Sequence, residues 1–212
     1  EQDSEFGPLP TTTSYLSDAS GPYTLVKDPR GHQTRTWFQA FDQPSTQYPV
    51  VISQPEGVVT EIARDVFSKP VEIVRRSTGN AVRVSRTYAY DAYQRLCRSQ
   101  EPETGATLIG YDAAGNLAWS AAGLPLGTNC DNTGSAAVVV ARKVGRTYDA
   151  RNRLRTLTFP DGNGNQSWLY HADGKPREVT TYNDGGATSV INSYVYNNRG
   201  LVYRDKGDYE RA

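Results

Sequence analysis

Tyr111-Asp112-Ala113-Ala114-Gly115-Asn116-Leu117 is the stretch that decides the fold of this chain. It reads as a tight β-hairpin. Tyr111 ends one strand. Asp112 opens a turn, because its carboxylate can accept a backbone N–H two residues on. Gly115, at the fifth position, takes the left-handed conformation that closes a type I turn with a bulge. Leu117 starts the returning strand.

The heptad recurs. Tyr90-Asp91-Ala92-Tyr93-Gln94-Arg95-Leu96 and Tyr148-Asp149-Ala150-Arg151-Asn152-Arg153-Leu154 depart from it only at the glycine, and Asn152 tolerates the left-handed region. Tyr170-His171-Ala172-Asp173-Gly174-Lys175-Pro176 has His where the aspartate stands, and Tyr196-Asn197-Asn198-Arg199-Gly200-Leu201-Val202 keeps the aromatic and the glycine. Degenerate copies are expected at Lys27-Asp28-Pro29-Arg30-Gly31, Phe41-Asp42 and Arg64-Asp65-Val66-Phe67-Ser68-Lys69-Pro70. Gln94, Ser45 and Ser68 fit the fifth position less well, so different turns are expected there. The copies at 90, 111, 148, 170 and 196 lie 21, 37, 22 and 26 residues apart. The long interval holds an insertion near 121–137. One supersecondary unit per repeat follows.

Between the heptads lies a second set of turns: Ser77-Thr78-Gly79-Asn80, Pro102-Glu103-Thr104-Gly105, Asp161-Gly162-Asn163-Gly164 and Asn183-Asp184-Gly185-Gly186. Their flanks alternate, as in Leu157-Thr158-Phe159. Turn signals roughly every ten residues on a two-residue period describe an antiparallel meander. The chain is therefore all-β. Its 23 Lys and Arg balance 23 Asp and Glu, which disfavours a nucleic-acid partner. No apolar run approaches the ~18 residues of a membrane span. The chain has no Met, as expected of an excised or processed piece. Residues 1–22 show no repeat and are set aside as an N-terminal segment or expression scar. Residues 23–204 form the repeat strip, and 205–212 a tail.

At these heptads the sequence resembles the Rhs/YD-repeat proteins, whose pattern is close to Tyr-Asp-x-x-Gly-Arg/Asn-Leu. The resemblance is good over roughly Thr60 to Arg204 and loose over Tyr23 to Val59. It implies a curved strip of β-hairpins, a segment of the hollow β-shell that bacterial Rhs proteins, BC components of toxin complexes and teneurins share. In bacterial members the shell encloses a toxin domain cleaved from the same chain. The implied role is structural, exported and non-catalytic, with a secreted or cell-surface bacterial location. The implied partners are the rest of the same polypeptide, another chain pairing at the sheet edges, and an enclosed toxin. No cofactor is implied. Asp28-Pro29-Arg30-Gly31 is the only Asp-Pro-x-Gly tetrapeptide, it lies at the wrong end, and autoproteolysis is not assigned. An isolated segment is expected to pair at its edges, pack on a partner, or be capped by Tyr23 to Val59.

The repeated aspartates read as turn devices, since a catalytic carboxylate is needed once and a turn device in every unit. Cys97 and Cys130, in a turn-rich exported chain, suggest a disulfide that pins the insertion to the sheet, the alternative being two unrelated thiols. His32 and His171 sit at turns and are expected to be solvated. Neither histidine nor cysteine has metal-ligand spacing. Asp161-Gly162-Asn163-Gly164-Asn165 resembles the start of a calcium loop but lacks the later bidentate Glu, and a hairpin turn explains every residue. The tyrosines suit cross-strand packing. They also suit sugar stacking, which keeps open a carbohydrate-binding or adhesive module acting through an aromatic sheet face. Asn165-Gln166-Ser167 matches a glycosylation sequon.

Overall fold

Alternating side chains bounded by turn residues fold into hairpin after hairpin. The computed structural model describes the backbone of residues 2–4, 7–39, 45–131 and 133–206, and the side chains of 10–39, 45–131 and 133–203. The Phe41-Asp42 copy lies outside the described residues. Two short strands, β1 (Gln2–Ser4) and β2 (Gly7–Leu9), pair with each other. All other strands join one antiparallel sheet of 16 strands in strict sequence order, from β3 (Thr12–Asp18) to β18 (Val202–Lys206). Every connection is local, so the antiparallel meander expected from the alternation is what forms.

The chain divides into two compact units, Glu1–Ala89 with Gln100–Glu103, and Tyr90–Ser99 with Thr104–Ala212. In the first, β4 (Gly21–Lys27), β5 (Gln33–Phe38), β6 (Pro49–Ser53), β7 (Val58–Arg64) and β8 (Pro70–Ser77) pair in succession, and β8 pairs β9 (Arg83–Tyr90). Tyr23 to Val59 therefore lies within the sheet and does not cap an edge. β3, in the segment set aside from the sequence, pairs β4 over its whole length. Tyr23 meets Trp37 across the β4–β5 pair at 5.3 Å between rings.

The second unit holds the first four residues of β10 (Leu96–Glu101), then β11 (Gly105–Tyr111), β12 (Leu117–Leu124), β13 (Lys143–Tyr148), β14 (Leu154–Thr158), β15 (Asn165–Tyr170), β16 (Pro176–Asn183), β17 (Thr188–Tyr196) and β18. β12 runs on to Leu124, so the excursion starts at Pro125, later than the expected insertion near 121–137. It ends in a four-residue helix, α1 (Ala137–Val140), just before β13. β18 extends to Lys206, past the expected start of the tail.

The buried core is small and local. Ala106, Leu108, Trp119, Ala121 and Leu124 on the β11–β12 pair enclose Val139 of α1. Small residues let these parts approach. A Cβ on Gly110 would fall inside the Trp119 indole, and one on Gly105, at φ +83°, would meet the Leu124 carbonyl oxygen. Elsewhere the described strands are mostly half-buried, and cross-strand side-chain pairs and main-chain ladders carry the stability.

Candidate functional site: the turn ladder

The seven described turns of the heptad copies share one hydrogen-bond pattern, which the Gln54–Val58 turn also follows. In each, residue i donates its N–H to the carbonyl of i+4, and its carbonyl accepts from i+3. The turns start at Asp28, Asp65, Asp91, Asp112, Asp149, His171 and Asn197, with N···O distances of 2.8–3.0 Å. The residue at i+3 has positive φ: Gly31, Ser68, Gln94, Gly115, Asn152, Gly174 and Gly200. Ser68 and Gln94, both at φ 63°, adopt the same turn as the glycines. The expectation of different turns there is corrected. The hydrogen bonds of the hairpin outweigh the left-handed cost of a side chain, about 1–2 kcal/mol. From β7 onward this turn makes every second connection.

The side chain at i locks the turn. Asp112 Oδ1 accepts the N–H of Ala114 at 2.9 Å and of Asn116 at 2.8 Å. Asp28, Asp65, Asp91, Asp149 and Asn197 each accept the same pair of amides. Asp28 of the Asp-Pro-x-Gly tetrapeptide is thus an ordinary turn residue. The free oxygen then takes the side chain at i+4. Arg153 Nε and Nη2 both reach Asp149 Oδ2 at 2.7 Å, and Arg95 does the same to Asp91 at 2.8 Å. These bonds hold the Asp149 carboxyl down at about 2, the Arg153 side chain contributing most and the Arg153 and Arg151 amides adding to it. Asp91 is also lowered: partial burial pushes it up, and the Arg95 and Tyr93 amides with the Arg95 guanidinium overcome that.

The same cations join one copy to the next. Arg95 lies 4.4 Å from the centre of the Tyr111 ring, Arg153 4.3 Å from Tyr170, and Lys175 5.3 Å from Tyr196. Three tyrosine hydroxyls also donate backward to the leucine carbonyl of the preceding copy: Tyr111 to Leu96 at 3.0 Å, Tyr148 to Leu117 at 2.9 Å, and Tyr170 to Leu154 at 2.6 Å. Between Asp112 and Asp149 the sixth residue is Asn116, which bridges Asp112 Oδ2 and Asn152 Oδ1 at 3.1 and 3.0 Å. The predicted residues Tyr90, Asp91, Leu96, Tyr111, Asp112, Gly115, Leu117, Tyr148, Asp149, Asn152, Leu154, Tyr170, Gly174, Tyr196 and Gly200 thus fall at equivalent positions of successive hairpins. Sequence reading missed the copy-to-copy contact. Its signal was the cation at position six of one heptad, followed by the aromatic at position one of the next.

The other turns clasp as well. Gly57 accepts the Thr78 N–H at 2.8 Å, and Asn163 Oδ1 accepts the Gly185 N–H at 3.2 Å. Asp161 Oδ1 accepts the Asn163 N–H at 3.1 Å, as in a hairpin turn. Among the described residues no group of three or more His, Cys, Asp or Glu could hold a metal, and no helix is long and apolar enough to cross a membrane. His171 is not simply solvated. Its Nε2 lies 3.1 Å from the Tyr194 carbonyl oxygen and its ring meets Tyr196 edge-on. Asn165 of the sequon uses its Oδ1 to accept the Phe159 N–H at 2.7 Å.

Cys97 on β10 and Cys130 in the excursion form a disulfide with Cα atoms 5.6 Å apart. It closes a sequence separation of 33 residues, a constraint of about 4 kcal/mol on the unfolded chain in the loop-entropy account. Beside it the Arg98 guanidinium donates to the Thr128 carbonyl oxygen at 3.2 Å. Asp131 orders the loop by accepting from the Thr133 hydroxyl and amide at 2.7 and 2.9 Å, which draws its carboxyl down to about 2.

The fold and its ladder define an all-β hairpin array. No family model and no curated protein matches the chain. Solved structures do. The chain superposes on part of the TcdB2-TccC3 crystal structure with a TM-score of 0.68 at 12% identity, covering 95% of this chain and 11% of that one. The TcdB2-TccC3-Cdc42 structure matches at 0.63 and 14%, covering 93% and 12%. A Tc holotoxin pore of Photorhabdus luminescens matches at 0.58 and 13%, covering 94% and 11%. At such identities the likeness is one of fold, and the chain spans little more than a tenth of those chains.

Proposed function

We propose that this chain is a structural segment of an exported bacterial Rhs/YD-repeat shell, one that encloses or presents an effector or toxin domain and carries no chemistry of its own. One observation carries the reading. The polar groups that repeat are engaged in the array itself: the aspartate locks its own turn through the cation, and the cation and the tyrosine hydroxyl join that turn to the next, as in Asp149–Arg153–Tyr170. A wall needs that linkage in every copy. The likeness in fold to parts of TcdB2-TccC3 supports the same reading. Electron microscopy of a longer natural polypeptide containing this segment tests it. A hollow particle with residues 90–204 in its wall is expected, and a solid particle would overturn it.

A second reading rests on Tyr93, which is 79% exposed and borders two hollows of about 160 and 350 Å³ beside Arg95. An exposed tyrosine with a guanidinium 4.9 Å from its ring suits a sugar. Saturable binding on a glycan array, abolished by Tyr93→Ala, would favour a carbohydrate-binding module over a plain wall.

A further inference from the structure

The excursion between β12 and β13 has few side-chain anchors among its described residues. Residues 125–142 place one apolar side chain, Val139, in the core, while Leu126, Val138 and Val140 are 58, 43 and 52% exposed. Among the described residues Arg98 donates to the Thr128 carbonyl and Lys143 to the Gly134 carbonyl at 3.3 Å, and the buried Gly134 sits close against the Trp119 indole. Within it Asp131 accepts the Thr133 and Ser135 amides, and α1 follows. Beneath it lies an apolar patch of the sheet made by Ala106, Leu108, Trp119, Ala121 and Leu124. That sheet is held by the β11–β12 and β12–β13 ladders, which do not involve the disulfide.

We propose that residues 125–142 are a disulfide-latched cover, and that reduction of Cys97–Cys130 releases it from the β11–β12 face and uncovers an apolar surface. The two sulfurs differ in access, since Cys97 is 3% exposed and Cys130 is exposed. A dithiol reductant therefore attacks Cys130 Sγ as a thiolate, and the S–S bond breaks with its electron pair leaving on Cys97 Sγ. The second thiol of the reductant then closes on the mixed disulfide and expels Cys130. Two electrons and two protons pass to the protein, giving two cysteine thiols, and the reductant leaves as a cyclic disulfide. One buried valine and one buried glycine cannot hold eighteen residues against the freedom they regain, so the cover lifts while the ladder beneath it stays.

Hydrogen exchange read by mass spectrometry on the whole chain tests this, with and without dithiothreitol, after titration shows two free thiols. Residues 125–142 are expected to exchange roughly tenfold faster or more on reduction, with β13–β17 unchanged. A dye that binds exposed apolar surface should brighten at the same time. The Cys97→Ser, Cys130→Ser double variant should behave without reductant as the reduced protein does. Unchanged protection of 125–142 in the fully reduced chain would overturn the proposal. So would an equal loss of protection across β11–β17, which would make the disulfide a general staple.

Discussion

Tyr170 donates its hydroxyl hydrogen to the Leu154 carbonyl oxygen at 2.6 Å, reaching back from one heptad to the seventh position of the heptad before it. Because the partner is backbone, the bond depends on the tyrosine alone. Tyr170→Phe keeps the ring over Arg153 and removes only the hydroxyl. Destabilisation of about 0.5–1.5 kcal/mol is expected in a urea melt, with Tyr111→Phe and Tyr148→Phe costing similar amounts. Tyr170→Leu should cost a further ~0.5–1 kcal/mol by losing the cation over the ring. If Tyr170→Phe melts with the parent chain, the backward bond contributes nothing.

The left-handed positions give opposite signs for opposite exchanges. Gln94 and Ser68 hold φ 63° with a side chain in place, so Gln94→Gly and Ser68→Gly relieve strain. The added freedom of the unfolded glycine offsets part of that, leaving a net stabilisation of about 0.5 kcal/mol. Gly115 is at φ 86°, and the nearest atom to an added Cβ, on Arg95, is 4.0 Å away. Gly115→Ala should therefore lose about 1 kcal/mol through the backbone alone. Gly110→Ala acts differently, by driving a methyl into Trp119, and should cost roughly 1–3 kcal/mol. Thermal midpoints of the four variants check the order.

How far this could be read from the sequence depends on where each contact lies. The turns were legible because Asp112 and Gly115 satisfy one another within a single heptad. The link from Arg153 to Tyr170 was not, since it joins residues of different copies and needs the sheet register to align them. Ala121 and Leu124 fell within the insertion that the long interval between the heptads at 111 and 148 marked. They continue β12 because Leu124 pairs with Ala106 and Ala121 with Leu108, and all four are buried together. β3 carries no heptad, and its strand state comes from pairing with β4. The disulfide was suggested by the compartment and by the insertion. The patch under the cover could not be seen, because the β11–β12 register is needed to bring Ala106, Leu108, Trp119, Ala121 and Leu124 together.

Acid should weaken the array in a defined window. Asp149 titrates near 3.8 when unfolded and at about 2 when folded. A lowered folded value means the stabilisation is complete above the unfolded value and disappears as pH falls through the folded one. The thermal midpoint should hold at neutral pH and drop progressively from about pH 4 toward pH 2. Asp91, Asp112 and Asp131 shift the same way and steepen the fall. Asp149→Asn should lower the midpoint at neutral pH, where Arg153 loses its ionic partner, and flatten the acid slope. An unchanged slope in that variant would show that Asp149 gains nothing from ionisation.

The sheet also has two edges. Among the described residues β3 pairs only with β4, and β18 only with β17. β3 is exposed throughout, with Tyr15 at 76% and Leu16 at 44%, and at the other edge Val202 and Tyr203 are 55 and 76% exposed. A flat edge with unpaired N–H and C=O groups and apolar side chains templates another strand. The isolated chain should therefore associate as its concentration rises, seen as an increasing mass in size exclusion with light scattering. Leu16→Lys adds a charge to that edge and should shift the chain toward monomer without lowering its melting temperature, since Leu16 is not part of the buried core. A mass that stays monomeric at millimolar concentration would mean that these edges are protected in a way the strand order does not reveal.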